Sequence, residues 1–121
     1  MSGDNGRDTL VGGAGDDTFV YNLFSDSRAG ADNRDVINGF SIGSDTIDLS
    51  AVDANSNTNA DDAFVFIGTT GFSGSAGELR IQGLGGANAL LLEGDVDGDG
   101  AADTQIFVNL ITTINASDFI L

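Results

Sequence analysis

The sequence predicts an all-β protein in which parallel half-coils of a β-roll are capped by a twisted antiparallel, sandwich-like sheet. Two consecutive nine-residue units, GDNGRDTLV and GGAGDDTFV, run in register over residues 3–20 and predict the half-coils. Short apolar stretches separated by glycine-rich turns follow and predict the antiparallel sheet. No window of useful length has a helical period, so we expect little helix. The 121 residues suit one domain over 1–121, with the roll over 1–38 and the antiparallel cap over 39–121.

The nonapeptide unit has a physical reason to form half of a coil. Glycines occupy positions 1, 2 and 4 of the second unit, where they allow a tight turn because glycine tolerates a positive φ. The last three residues form a short strand whose middle side chain, Phe19 in this unit, faces inward. Turns on one edge therefore recur every two units. This period predicts that Asp8 pairs with Asp26 on one edge. On the other edge it predicts that Asp17 pairs with Asp35.

Stacked glycine turns offer backbone carbonyls and aspartate carboxylates to a cation. Ca²⁺ prefers such an all-oxygen shell, and the chain has no histidine or cysteine to supply the usual ligands of zinc, copper or iron. A single copy of the motif would favour a flexible loop, because glycine and aspartate are ordinary turn residues. Two copies in register favour calcium-binding half-coils. The predicted calcium ligands are Gly3, Asn5, Gly6, Asp8, Gly12, Gly13, Gly15, Asp17, Asp26 and Asp35.

The charge balance restricts the partners of the chain. Nineteen acidic residues oppose four arginines, which gives a formal net charge of −15. Nucleic acid and anionic membranes are poor partners for such a surface, whereas divalent cations would relieve its self-repulsion. No segment approaches the ~20 apolar residues that span a bilayer, so we expect no membrane insertion. Without cysteine there is no disulfide framework, and bound metal is the usual substitute in a secreted domain.

The remaining apolar segments predict the strands of the cap. Alternating residues predict one short strand on each side of a turn at 43–44, and the compact run FVFI over 64–67 predicts a buried strand. In the next segment, Leu79 and Ile81 are expected to face inward. The further predicted strands cover 78–81, 89–93, 104–110 and 118–121.

A second calcium candidate lies in the acidic segment DVDGDGAAD over 95–103. Its carboxylates at positions 1, 3, 5 and 9, with glycine at 6, match the front of an EF-hand loop. However, Ile106 stands at position 12 in place of the bidentate glutamate, and the flanks predict strands. An acidic hairpin turn is the simpler interpretation. The weaker candidate ligands are Asp95, Asp97 and Asp99.

The order of these segments resembles a known family. The motifs TFVY, DVINGF, SDTIDLSAV, FSGSAGELRI, DVDGDGAAD and the final ASDFIL follow one another as in the C-terminal RTX domain of serralysin-type secreted metalloproteases or related secreted RTX proteins. The resemblance implies a calcium-binding domain that folds when calcium is available and directs type I secretion of a larger extracellular protein. The array of repeats at the start of the chain suggests the C-terminal part of a longer protein, with a catalytic domain on its N-terminal side.

The terminal segment Asp118–Leu121 has two interpretations. As structure, its apolar residues predict a last edge strand. As implied by the resemblance, an acidic residue followed by apolar residues is the uncleaved signal read by the type I secretion apparatus. Both can hold, because the tail can be recognised unfolded and pack later.

The sequence gives no support for catalysis by this domain. Without histidine, neither an H-E-x-x-H zinc site nor a Ser-His-Asp arrangement can form. Two other function classes stay open. One is a carbohydrate- or surface-binding accessory module of a secreted polysaccharide-modifying enzyme. The other is a small enzyme that uses aspartate pairs, for which Asp45 and Asp48 are candidates, although we expect them to be strand-end and surface residues.

Overall fold

The structure, a computed structural model, describes residues 6–30, 32–58, 62–84, 88–111 and 113–121. None of the helices in these residues is long and apolar enough to cross a lipid bilayer. The described strands are β1 (Thr9–Val11), β2 (Thr18–Val20), β3 (Asp35–Asn38), β4 (Thr46–Asp48), β5 (Val65–Phe66), β6 (Glu78–Leu84), β7 (Ala89–Asp95), β8 (Thr104–Asn109) and β9 (Phe119–Ile120), and two short 3₁₀ helices span Phe24–Ser27 and Ala116–Asp118.

The strands form two sheets that face each other across one core. The larger sheet has the order β1-β3-β8-β7-β6-β5, and the smaller has the order β2-β4-β9. The chain alternates between the sheets from β1 to β4, and each strand lies parallel to its neighbour one coil away. This is the alternation of a roll, because a parallel neighbour requires the chain to cross to the other sheet and return. The predicted all-β class and parallel roll are therefore confirmed.

The apolar position of each repeat fills the core. Leu10, Phe19 and Ile37, which occupy position 8 of their units, are all buried, while Thr9 and Thr18 beside them are exposed. Side chains alternate between the faces of a strand, so one apolar residue in a three-residue strand is enough to give it an inner face. Burying a side chain of this size contributes roughly 1.5–3 kcal/mol, and the stacked rows thus hold the two sheets together.

Parallel pairing continues beyond residue 38, where the sequence places the start of the cap. Strand β8 lies parallel to β3, and β9 lies parallel to β4 at the edge of the small sheet. Antiparallel pairing is found in the β6-β7-β8 meander. Strand β9 adds to an edge, as the structural interpretation of the tail predicts. The inward orientation of Leu79 and Ile81 in β6 is also confirmed.

The compact run over 64–67 is not the buried strand that its composition predicts. Its strand covers Val65–Phe66 and lies at the edge of the large sheet, where the side chain of Val65 is 64% exposed. Phe64 is buried, and Phe66 packs against Phe119 with ring centroids 5.2 Å apart. A continuous apolar run does not reveal whether a strand is central or at an edge, because both faces and both neighbours matter.

Candidate metal centre

The stacked coils bring aspartates together in pairs. The register of β1 with β3 places Asp8 beside Asp35, and the backbone N–H of Asp8 donates a 2.9 Å hydrogen bond to Oδ1 of Asp35. The register of β2 with β4 does the same at the other edge. There the N–H of Asp17 donates a 2.9 Å hydrogen bond to Oδ1 of Asp45. Asp8, Asp17 and Asp35 all occupy position 6 of their units, so the repeat itself positions them.

The predicted partners of these aspartates were wrong. The paired residues lie 27 and 28 positions apart along the chain, and not two nonapeptides apart. The third unit causes the difference, because it has Tyr21, Asn22 and Phe24 where the tight turn needs glycine. Its residues form a 3₁₀ helix over Phe24–Ser27 and lengthen the connection from β2 to β3 by one whole unit.

Asp26 belongs to this longer segment. Its Oδ2 accepts hydrogen bonds of 3.1 Å from the N–H groups of Asn22 and Leu23, so the carboxylate closes the first turn of the 3₁₀ helix. It still lies close enough to the first pair for its charge to raise the pKa of Asp35. Asp26 is therefore not the stacked partner of Asp8, but it contributes negative charge to the same edge.

Buried oxygen atoms without a hydrogen-bond partner mark both edges. Among the described residues, Oδ2 of Asp8, Oδ2 of Asp35 and the hydroxyl of Tyr21 are unpaired at the first edge, and Oδ2 of Asp17 is unpaired at the second. An unsatisfied buried polar group costs about 1–3 kcal/mol, and more when it is charged. Oxygen atoms of this kind fit a hard divalent cation, which would satisfy them and neutralise their charge.

The buried environment of the first edge raises the pKa values of Asp35 and Tyr21. Burial raises the pKa of Asp35 to about 6, and the nearby charges of Asp8 and Asp26 add to the rise. The N–H of Asp8 and the Tyr21 hydroxyl oppose it. Burial also raises the pKa of Tyr21, and the neighbouring Asp35 carboxylate raises it further. The hydroxyl is close enough to interact with Asp35, but it does not reach the geometry of a formed hydrogen bond.

The repeats require glycine for two different structural reasons, a positive φ at some positions and close packing at another. Gly13, Gly15 and Gly6 have φ values of +81°, +93° and +106°, so their turns need the left-handed region. Gly12 has no such requirement. A Cβ atom on Gly12 would lie 3.0 Å from Oδ2 of Asp17 and 3.2 Å from the ring of Phe19, so its hydrogen lets the turn close on the carboxylate. The predicted ligands Gly3 and Asn5 lie outside the described residues.

The acidic hairpin between β7 and β8 brings four carboxylates together. Asp95, Asp97, Asp99 and Asp103 can each place one oxygen so that all four lie within 4.8 Å of one another. Yet each of these carboxylates already accepts at least one backbone hydrogen bond. Asp95 accepts hydrogen bonds from the N–H groups of Gly98 and Gly100 at 2.8 and 2.9 Å, one to each oxygen.

The other hairpin carboxylates each accept backbone hydrogen bonds at one oxygen. Oδ2 of Asp103 accepts from Val96 and Asp97, and Asp99 accepts from Ala101. The pKa of Asp97 is raised overall: the N–H of Asp99 lowers it, but desolvation and the carboxylates of Asp99 and Asp103 outweigh that bond. The loop is thus a turn that its own aspartates close.

Sequence reasoning missed two buried carboxylates. Asp45 is 1% exposed, and its oxygens accept from the N–H groups of Asp17 and Ser41. Its place beside Asp17 is hidden because the nine residues 39–47 have Asp45 at position 7 and not at position 6. Asp118 is 3% exposed and accepts from Gly43 and Asn115. The expectation that Asp45 lies at the surface was therefore wrong. Because both of its oxygens are occupied, Asp45 is also a poor general acid or base.

A parallel roll with aspartates set in glycine turns defines an RTX-type repeat module. The family described as Peptidase M10 serralysin C terminal matches residues 1–121, and the chain belongs to this family. The family consists of C-terminal and not catalytic parts of its proteins. A search of curated proteins found no match.

Two solved structures share the fold over 98% of this chain. The AlgE6R2 subunit of the Azotobacter vinelandii mannuronan C5-epimerase is 23% identical, with a TM-score of 0.62, and the chain covers 67% of it. The AlgE6R3 subunit of the same epimerase is 22% identical, with a TM-score of 0.59, and the chain covers 60% of it. At this identity, the likeness establishes the fold alone.

Proposed function

We propose that the chain is the calcium-binding C-terminal module of a larger secreted bacterial protein, a serralysin-like metalloprotease, and that calcium controls its folding. The observation that carries this proposal is the set of buried, unpaired oxygens on Asp8, Asp17 and Asp35. Folding the roll without a cation leaves these carboxylate oxygens unsatisfied. Membership of the serralysin C-terminal family supports calcium as the cation.

The two edges supply different proposed ligand sets. Asp8 and Asp35 form the first set, with Asp26 contributing charge beside them. Asp17 forms the second with the turn at 12–15. The remaining proposed donors are the backbone carbonyls of Gly3, Asn5, Gly6, Gly12, Gly13 and Gly15. Asp95, Asp97 and Asp99 form a weaker site, because a cation there competes with hydrogen bonds that the hairpin already has.

Calcium concentration then decides whether the roll closes. A net charge of −15 opposes a compact state, and the low free calcium inside a cell leaves that repulsion in place. Extracellular calcium modules have Kd values of about 10⁻⁴–10⁻³ M. A ligand at a hundred times its Kd, which is about 10 mM calcium at the tighter end of this range, stabilises the folded state by about 2.7 kcal/mol per site. Two occupied edges are therefore enough to fold a marginal domain.

The terminal segment Asp118–Leu121 is proposed to be the type I secretion signal. In the folded chain, Asp118 and Phe119 are 3% and 7% exposed, so their side chains are inaccessible to a receptor. Recognition by the secretion apparatus would have to precede folding, which low intracellular calcium permits. Export in this state would place the module and its N-terminal catalytic domain outside the cell.

Circular dichroism and thermal unfolding of the full chain test the proposal. We expect the β-sheet signal and the cooperative transition to persist to a markedly higher temperature in millimolar calcium than in chelator. Magnesium at the same ionic strength is the control, because general screening of the acidic surface would act equally with either ion. A chain that folds equally well in calcium, magnesium and chelator would contradict calcium-controlled folding.

A further inference from the structure

A pocket on the outer face of the large sheet contains two arginine side chains, although the molecule as a whole is acidic. It has a volume of about 300 Å³ and is lined by Arg7, Asp32, Arg34, Val36 and Phe107. Two of the four arginines of the chain thus lie in one cavity. The pocket faces away from the paired aspartates, since Val36 points outward between the inward side chains of Asp35 and Ile37.

The register of the roll places the two arginines side by side. Thr9 is paired with Val36, so Arg7 and Arg34 occupy matching positions two residues earlier in their coils. Both arginines precede the paired strands and line the same pocket, where their like charges repel each other. Neither arginine forms an ion pair within the described part of the chain, although the protein has 19 acidic residues.

The two guanidinium groups differ in their contacts and their exposure. Arg34 lies over the ring of Phe107, 5.6 Å from its centroid, and makes a long 3.4 Å hydrogen bond to Oε1 of Gln105. These contacts fix its direction but leave most of its five N–H donors available. Arg7 is exposed. Arg34 is held in place beside the exposed Arg7, and neither has a paired carboxylate among the described residues, so an incoming anion would stabilise this arrangement.

The other residues that line the pocket indicate which class of ligand it can bind. Planar guanidinium groups bind carboxylates in a bidentate manner. Val36 and Phe107 provide an apolar floor, and Asp32 can accept hydrogen bonds from hydroxyl groups but would repel a second anionic group. The volume lies at the lower limit of small-molecule pockets. We propose that this pocket binds one carboxylate-bearing sugar unit, a uronate, with its carboxylate on Arg7 and Arg34 and a hydroxyl on Asp32.

The test is a titration of the full, calcium-saturated chain with glucuronate, followed by amide chemical shifts, with free calcium held constant because uronates bind it weakly. We expect millimolar binding that shifts the amides of residues 7, 34, 36 and 107, and no such shifts with glucose. Arg7→Gln and Arg34→Gln should each weaken binding about tenfold or more, since hydrogen bonds to charged groups contribute about 1.5–3 kcal/mol.

Arg28→Gln is the matched control, because Arg28 is exposed outside the pocket and its loss changes the net charge by the same amount. It should alter glucuronate binding less than twofold. Arg34→Lys keeps the charge but loses the planar fork, and should bind less tightly than the wild type even if Arg34→Gln fails to fold. The amide spectrum recorded without ligand shows whether each variant is folded. A failure to bind glucuronate can therefore be distinguished from a failure of calcium-dependent folding.

Several outcomes would overturn the proposal. One is no shift at any glucuronate concentration, and another is an equal loss in Arg28→Gln. Inorganic phosphate that binds as tightly as glucuronate would indicate a bare anion site. A tetraglutamate peptide that binds more tightly than glucuronate would assign the pocket to acidic peptides.

Discussion

The roll edges and the acidic hairpin place the same residues, aspartate among glycines, in two opposite situations. At the first edge, Asp8 and Asp35 each keep a buried oxygen without a partner. In the hairpin, both oxygens of Asp95 accept backbone hydrogen bonds from its own loop. The hairpin has the higher density of carboxylates, yet the roll has the greater need for a cation. The number of aspartates therefore says less about a metal site than the number of donors that surround them.

Chain geometry explains the difference. In the hairpin, Gly98 and Gly100 have φ values of +77° and +82°, and their N–H groups turn toward Asp95. Such local side-chain to backbone bonds stabilise a turn without any ion. In the roll, the neighbouring coil provides a single N–H to Asp35 through Asp8, and strand pairing uses the other donors. On the second edge, Asp45 has a second donor because its own turn supplies the N–H of Ser41, and no described residue in the turn of Asp35 supplies such a bond.

The largest expected effect is that of Asp35→Asn, which removes one buried charge from the roll. In calcium at about a hundred times Kd, the variant should lose up to about 2.7 kcal/mol of stability, or roughly 10 °C in Tm. In chelator, the substitution should leave the stability unchanged or increase it, because it removes an uncompensated buried charge. Thermal unfolding with and without calcium measures both.

Asp48→Asn is the control for this prediction. Asp48 accepts hydrogen bonds from Ser50 in an exposed turn at the end of β4, and an asparagine oxygen can accept them as well. Its effect should be small and should not depend on calcium. If Asp35→Asn cost the same stability in chelator as in calcium, the unpaired oxygen of Asp35 would have a purely structural role.

The sequence predicts the part of this site that depends on local chemistry. The nonapeptide identifies position 6 aspartates and position 8 core residues, and Asp8, Asp17 and Asp35 are found on the stacked edges as a result. Their partners depend on the length of the connection from β2 to β3, which Tyr21 and Phe24 change by replacing a glycine turn with a 3₁₀ helix. Counting residues cannot reveal this, because the third unit forms no half-coil and yet keeps the nine-residue register up to Asp35.

The cap was harder to predict for a related reason. The apolar segment 104–110 predicts a strand, but nothing in that segment specifies a parallel neighbour on one side and an antiparallel neighbour on the other. Strand β8 has both, since it joins β3 of the roll to β7 of the meander. Strand pairing is decided by packing between distant segments, and so the roll extends further along the chain than its repeats do.

A smaller effect is expected from pH in the absence of calcium. Because burial raises the pKa of Asp35 to about 6 from an ordinary value of 3.8, the folded state binds this proton more tightly than the unfolded state. Stability should therefore fall as the pH rises through the interval between those two values, and this contribution should level off above it. Urea unfolding of the wild type and of Asp35→Asn across this pH interval measures the difference between their free energies of unfolding. Taking this difference cancels the contributions of the other carboxylates. A difference that is independent of pH would show that Asp35 titrates normally in the folded chain.

The smallest effect should come from Asp97→Asn and Asp99→Asn. Each carboxylate accepts one hydrogen bond from the N–H two residues later, at 3.1 Å from Asp99 and 2.9 Å from Ala101, and an asparagine oxygen accepts the same bond. Stability should change by less than about 0.5 kcal/mol in chelator, and only a weak, late phase of a calorimetric calcium titration should change. Asp95→Asn is the matched contrast, because its amide nitrogen would face a backbone N–H and cost about 1–3 kcal/mol with or without calcium. If Asp97→Asn instead abolished calcium-dependent stabilisation as Asp35→Asn should, the hairpin would be the principal cation site, and satisfied hydrogen bonds would not distinguish the two regions.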